Sequence, residues 1–218
     1  MLLILITIFG SSFLVALSGA LMPGPLLTVT ISETMHRGAR TGPLMMCGHS
    51  LLELLLITCL VAGLAPLINL PQVFVAISLA GGAILLWMAV TMLRGIPSMS
   101  LVTTQDSERR RNLLLTGVML SLVNPYWLIW WATIGLGYIL QTLQYGAAGL
   151  AAFFLGHILA DFCWYSLVSV GIARGRHLLT DTHYRCLIGG CAGFLLLFSG
   201  WFLYSGFDKF LQINPSIL

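Results

Sequence analysis

Two histidine–carboxylate pairs are the residues of this sequence best suited to chemistry. His49 and Glu53 stand four apart in Gly48-His49-Ser50-Leu51-Leu52-Glu53, and His157 and Asp161 stand four apart in Gly156-His157-Ile158-Leu159-Ala160-Asp161. Residues at i and i+4 share one face of a helix, so each pair is one imidazole beside one carboxylate within a long apolar run. Such a group can take up and release a proton. It can also give two ligands to a metal ion, and two pairs together would make a four-ligand site.

The elements that hold these pairs are membrane helices. Of 218 residues 58% are hydrophobic and 8% charged, with a mean hydropathy of +0.97, whereas a soluble domain carries about 25% charged residues. A bilayer core takes about 20 apolar residues per helix. Windows of that kind lie at about 3–33, 43–66, 72–93, 112–140, 146–172 and 186–206. The expected fold is an all-α membrane protein of six transmembrane helices, forming one domain over 1–218. The first segment has neither a positive leading region nor a small-residue cleavage site, so it reads as a retained helix. Glu53 and Asp161 fall near the centres of segments two and five, where an ionised carboxylate costs about 2.5–3.5 kcal/mol on insertion scales. No Lys or Arg lies at that depth. The expected partners are therefore His49, His157, hydroxyls, water, substrate or protons.

Basic residues give the orientation. Arg37, Arg40, Arg94, Arg109 to Arg111, Arg174, Arg176 and Arg185 fall in three alternate loops, and Lys209 alone lies on the other side. The positive-inside rule then places loops 1–2, 3–4 and 5–6 in the cytoplasm and both termini outside. Basic residues confined to short loops at a membrane edge exclude nucleic acid as a partner. The five cysteines form no Cys-x-x-Cys pair, so they read as small hydrophobes rather than a thiol relay.

The duplication extends beyond the histidines. Pro23-Gly24-Pro25 interrupts segment one and Asn124-Pro125 interrupts segment four; Gly82-Ala83-Ile84-Leu85-Leu86-Trp87 runs to Gly95 as Gly193-Phe194-Leu195-Leu196-Leu197-Phe198 runs to Gly206. Repeat one covers about 1–95, a cytoplasmic loop about 95–111 and repeat two about 112–206. Three helices per half make the halves enter from opposite faces, a 3+3 inverted repeat with Pro-broken helices 1 and 4, as in many secondary transporters. A proline break frees backbone groups that must meet protein or a polar cavity. Pro23, Gly24, Pro25, Asn124 and Pro125 are therefore expected to bind substrate through half-helix ends, with Tyr126 beside them. Trp87, Trp127, Trp130, Trp131 and Trp201 read as lipid-facing or interfacial, Trp127 being the exception worth testing. Ala148, Ala152, Gly156 and Ala160 form a stripe for close helix packing. Glu33 and His36 mark a solvated helix end.

Met22-Pro23-Gly24-Pro25, Arg37-Gly38-Ala39-Arg40-Thr41-Gly42, Gly81-Gly82 and Asn124-Pro125, in this order, resemble the LysE/RhtB family of amino-acid exporters. The resemblance covers nearly the whole chain. It implies efflux of amino acids or close derivatives across the bacterial inner membrane, driven by protons. The sequence departs from the family's pattern at Leu26, where Asn is common, and at Tyr126, where Lys is common. The reading is a proton-coupled exporter, not an enzyme, with no cofactor and no resident metal. Its partners are a small-molecule substrate, protons and the lipid bilayer, and homo-oligomer formation stays open. In this reading Glu53 and Asp161 carry protons or meet the substrate amine, tuned by His49 and His157. Two alternatives use the same four groups as metal ligands: a cation or metal exporter, and an intramembrane metalloenzyme.

Overall fold

The computed structural model describes residues 1–64, 70–98, 112–175 and 180–214; Arg109 to Arg111 and Arg176 lie outside them. All regular structure among the described residues is helical. The helices are α1 (Leu2–Ala20), α2 (Pro25–Arg37), α3 (Thr41–Cys59), α4 (Pro71–Gly95), α5 (Leu113–Leu122), α6 (Pro125–Trp130), α7 (Leu136–Leu143), α8 (Gly146–Gly175) and α9 (Asp181–Ile213). A π-turn over Leu60–Leu64 extends α3, and another over Trp131–Gly135 joins α6 to α7. Among the described residues five stretches are long and apolar enough to cross a membrane: α1, Thr41–Gly63, α4, α8 and α9. The pair Leu113–Leu122 and Pro125–Leu143, bent by 65°, makes a sixth if counted as one span.

The apolar window at 3–33 is not one continuous helix. α1 ends at Ala20, and α2 restarts at Pro25 behind an extended Gly24 with φ −143°. Proline suits that first position because its missing N–H would have had no intrahelical partner. At the other break Asn124 caps α6, its side-chain oxygen accepting the Tyr126 N–H at 3.1 Å.

Three lateral pairings hold the bundle together: α1 lies on α8, α3 on α5, and α4 on α9. Close crossings come from glycines with no side chain to keep the backbones apart. A Cβ on Gly48 would overlap the Leu114 carbonyl, and one on Gly156 would overlap that of Phe9. Beside the second crossing the Ser12 hydroxyl donates to the Phe153 carbonyl at 2.6 Å. Gly156 and Ala160 of the small-residue stripe pack inward, but Ala148 is exposed, and Gly149 and Phe153 take the buried face at that end.

Two apolar clusters lie on either side of the His–acid pairs. One contains Leu26, Ile31, Met45, Met46, Tyr165 and Ile188. It lies before His49 on α3 and beyond Asp161 on α8. The other contains Ile57, Leu60, Trp127, Trp130, Trp131 and Phe153, beyond Glu53 and before His157.

Pro125 packs against Gly81, where an added Cβ would overlap its ring. Gly81→Ala is therefore expected to push out the Asn124–Pro125 corner and to cost about 1–3 kcal/mol. Gly137→Ala, which has open space around it, is the control in thermal unfolding of the purified protein. Equal melting of the two variants would show that Gly81 does not seat the corner.

Candidate functional site

The two His–acid pairs meet. His49 Nε2 lies 3.0 Å from Glu53 Oε1 on its own helix and 3.7 Å from Asp161 Oδ2 across the bundle. His157 Nε2 straddles the Glu53 carboxylate, 3.2 Å from Oε1 and 3.1 Å from Oε2, and lies 3.6 Å from Asp161 Oδ2. All four side chains are buried. The i, i+4 spacing puts imidazole and acid on one face of α3 and of α8, and packing of α3 against α8 brings those faces together.

Three further residues complete the cluster. Ser121 on α5 hydrogen-bonds His49 Nδ1 at 2.6 Å and donates to the Gly117 carbonyl at 2.8 Å. Trp127 and Trp131 each donate an indole N–H to Glu53 Oε1 at 2.9 Å. An indole nitrogen can only donate, so both bonds require an acceptor oxygen at that point. Both indoles, and Trp130 tilted at 45° against His157 with ring centroids 4.7 Å apart, are buried. Trp130 and Trp131 are thus not lipid-facing, whereas Trp87 and Trp201 are exposed. The readable signal was spacing: Trp127, Trp130 and Trp131 are three and four apart, which puts them on one helix face directly after the Asn-Pro corner. Ser121 left no such signal.

A cavity of about 80 Å³ opens beside the cluster, several times the roughly 10–15 Å³ that one water needs on the same measure. His49, Glu53, His157 and Asp161 line it together with Pro23, Gly24, Pro25, Asn124 and Tyr126. The two chain breaks face each other there, since a Cβ on Gly24 would sit 3.9 Å from Asn124 Nδ2. Pro125 is the one expected site residue that does not line the cavity; its ring fills the space left by Gly81 instead. None of the described lining residues is Lys or Arg.

The arrangement suits polar exchange in an apolar surround. Two carboxylates and two imidazoles are electroneutral when they hold two protons beyond the deprotonated carboxylates and neutral rings. A desolvated cluster strongly disfavours net charge, so a cation that enters is best matched by a proton that leaves. Ligand atoms of His49, Glu53 and Asp161 lie within 4.8 Å of one another, close enough to reach one ion. Two indole N–H groups already point at Glu53 Oε1, so an ion held by that oxygen would leave both donors unpaired.

The buried acids differ in their surroundings. Glu53 Oε2 has His157 at 3.1 Å, although not aligned as a hydrogen bond. Asp161 Oδ2 has no hydrogen-bond partner, and its nearest imidazole nitrogens stand at 3.6 and 3.7 Å.

Comparison with known proteins gives two matches. Residues 17–206 match the family model described as LysE type translocator. The chain is also similar to the chemotactic transduction protein ChpE of Pseudomonas aeruginosa, with 26% identity over 198 residues that cover 90% of this chain and 97% of that protein. No solved structure matches it.

Proposed function

The chain belongs to the LysE type translocator family, and from that premise we propose that it is a secondary transporter exporting an amino acid or related small polar metabolite across the bacterial inner membrane in exchange for protons. The observation that carries this reading is the meeting of both His–acid pairs in one buried cavity bordered by both chain breaks. Substrate enters at the Pro23-Gly24-Pro25 and Asn124 breaks, beside Tyr126. Its amino group meets the acid cluster, within which Glu53, Asp161, His49 and His157 hold or release the compensating protons. One unit charge crossing 100 mV is worth about 2.3 kcal/mol, so a single coupled proton sustains a sizeable gradient. Read as metal ligands, the same groups would make a cation exporter; the indole donors on Glu53 favour the organic substrate.

The proposed architecture is a 3+3 inverted repeat in a single domain. Exchanging α1 with α5, α3 with α8 and α4 with α9 turns the α1–α8 pairing into the α5–α3 pairing and leaves α4–α9 unchanged, as an internal duplication would. Arg37, Arg94 and Arg174 near the C-terminal ends of α2, α4 and α8, with Arg40 and Arg185 just across the following loops, support a cytoplasmic placement of those ends. Lys209, near the C-terminal end of α9, falls on the outer side in the same scheme.

The test begins with a metabolite-resistance screen in cells overproducing the chain, followed by pH-gradient-driven flux of the compound so found in reconstituted vesicles. Glu53→Gln and Asp161→Asn are each expected to reduce that flux to the level of protein-free vesicles. Wild-type flux in both variants would sink the proton-exchange reading.

A further inference from the structure

The two acids correspond in sequence, yet the structure gives them unequal work. Glu53 Oε1 accepts two indole N–H bonds at 2.9 Å, and both imidazoles stand within 3.2 Å of the same oxygen. A ligand that took this oxygen would strand two buried donors that have no other use. Asp161 lies against the same imidazoles only at 3.6 and 3.7 Å, beyond hydrogen-bond distance. Its Oδ2 is buried without a hydrogen-bond partner, and the residue lines the cavity at 6% exposure. Glu53 lines the cavity too and its Oε2 likewise lacks a hydrogen bond, but His157 Nε2 stands 3.1 Å from it, so Asp161 Oδ2 is the less matched acceptor of the two.

We propose that Asp161 is the counter-ion of a substrate ammonium group, and that Glu53 is a fixed anion that orders the site without touching the ligand. The inference deepens, and rests on, the reading of this cavity as the transport site. The wall supports an ammonium ligand carrying a short apolar body: Tyr126, Trp130, Tyr165, Phe194 and Phe198 line the same cavity, and aromatic faces attract cations while covering hydrocarbon. Tyr126 and Phe198 meet edge to face with centroids 5.8 Å apart, and Phe194 stacks on Phe198 at 4.5 Å, so this aromatic wall is already assembled. Trp131 is a positioning residue for Glu53. It lies over Gly135, where an added Cβ would overlap its ring, and it sits at the start of the π-turn.

The probe is n-butylammonium chloride, titrated calorimetrically into the full-length purified protein in lipid nanodiscs. Wild type is expected to bind it, and Asp161→Asn to weaken binding by about tenfold or more, the usual scale for a hydrogen bond to a charged group. Asp161→Glu keeps the carboxylate and is expected to recover part of that loss. If the Asn variant does not fold, the Glu variant compared with Asp161→Ser carries the test. Glu53→Gln is expected to weaken binding less than Asp161→Asn does. Failure of wild type to bind, wild-type affinity in Asp161→Asn, or an equal loss in both variants would overturn the assignment. Intact butylammonium binding with no proton-driven flux would count against the transport reading alone. Proton-driven flux with Asp161→Asn affinity unchanged would count against the subsite alone.

Discussion

Glu53→Ala is expected to lower the stability of the protein by about 3–5 kcal/mol, the scale seen when one partner of a buried ionic cluster is removed. The loss arises from the groups left behind. Trp127 and Trp131 would each keep a buried N–H with no acceptor, and His49 and His157 would face an empty space where their nearest oxygen had been. Glu53→Gln retains a carbonyl oxygen for the two indoles, and so is expected to lose less, about 1–3 kcal/mol. Thermal unfolding of the detergent-purified variants separates the two outcomes. An alanine variant that melts with wild type would mean that the indole bonds contribute nothing to the fold. The ordering Ala below Gln below wild type ties stability to the hydrogen-bond acceptor rather than to the charge alone.

The second large effect is expected at the glycines that precede the histidines. An alanine at Gly48 would drive its methyl group into the Leu114 carbonyl, and one at Gly156 into the Phe9 carbonyl. A side chain in that place could turn aside, but a helix backbone cannot, so the two helices must part. Overpacking of this kind costs about 1–3 kcal/mol and sometimes more. The shift would also carry the adjacent histidine, His49 or His157, away from the acid cluster. Gly171→Ala and Gly190→Ala, both with open space around them, are the matched controls. Folded yield on size-exclusion chromatography should fall sharply for the first two variants and stay at wild type for the controls. Equal yields across all four would show that the α3–α5 and α1–α8 crossings tolerate a wider separation.

Much of the site was legible as sequence because its signals are local. A four-residue spacing fixes a shared helix face, and a carboxylate in an apolar run must find a partner, so His49, Glu53, His157 and Asp161 could be singled out one helix at a time. What could not be read was which of them touch across helices. That depends on how closely α3, α5 and α8 approach, which the glycines set through contacts with residues far away in sequence. Pro125 shows the same limit. As a motif it belongs with Asn124, yet its ring faces Gly81 on a helix more than forty residues upstream. The tryptophans are ambiguous for a chemical reason: an indole in a membrane protein serves equally at the lipid interface or as a buried donor. Only the placement of Glu53 opposite α6 decides between them. The departure from helix in the long first window was foreshadowed by its two prolines, but the facing of Gly24 and Asn124 was not.

Two of the apolar clusters that border the cavity differ in how they are held together. The one built from Leu26, Ile31, Met45, Met46, Tyr165 and Ile188 holds mainly by dispersion and hydrophobic contact, with one bond from the Thr30 hydroxyl to Met45 Sδ at 3.5 Å. Such contacts are non-directional, so these side chains can slide past one another with a gradual loss. The opposite cluster contains Trp127 and Trp131, fastened to Glu53 by aligned bonds that are lost over a fraction of an ångström. The chamber thus has one wall held mainly by non-directional contact and one fastened to Glu53 by aligned bonds.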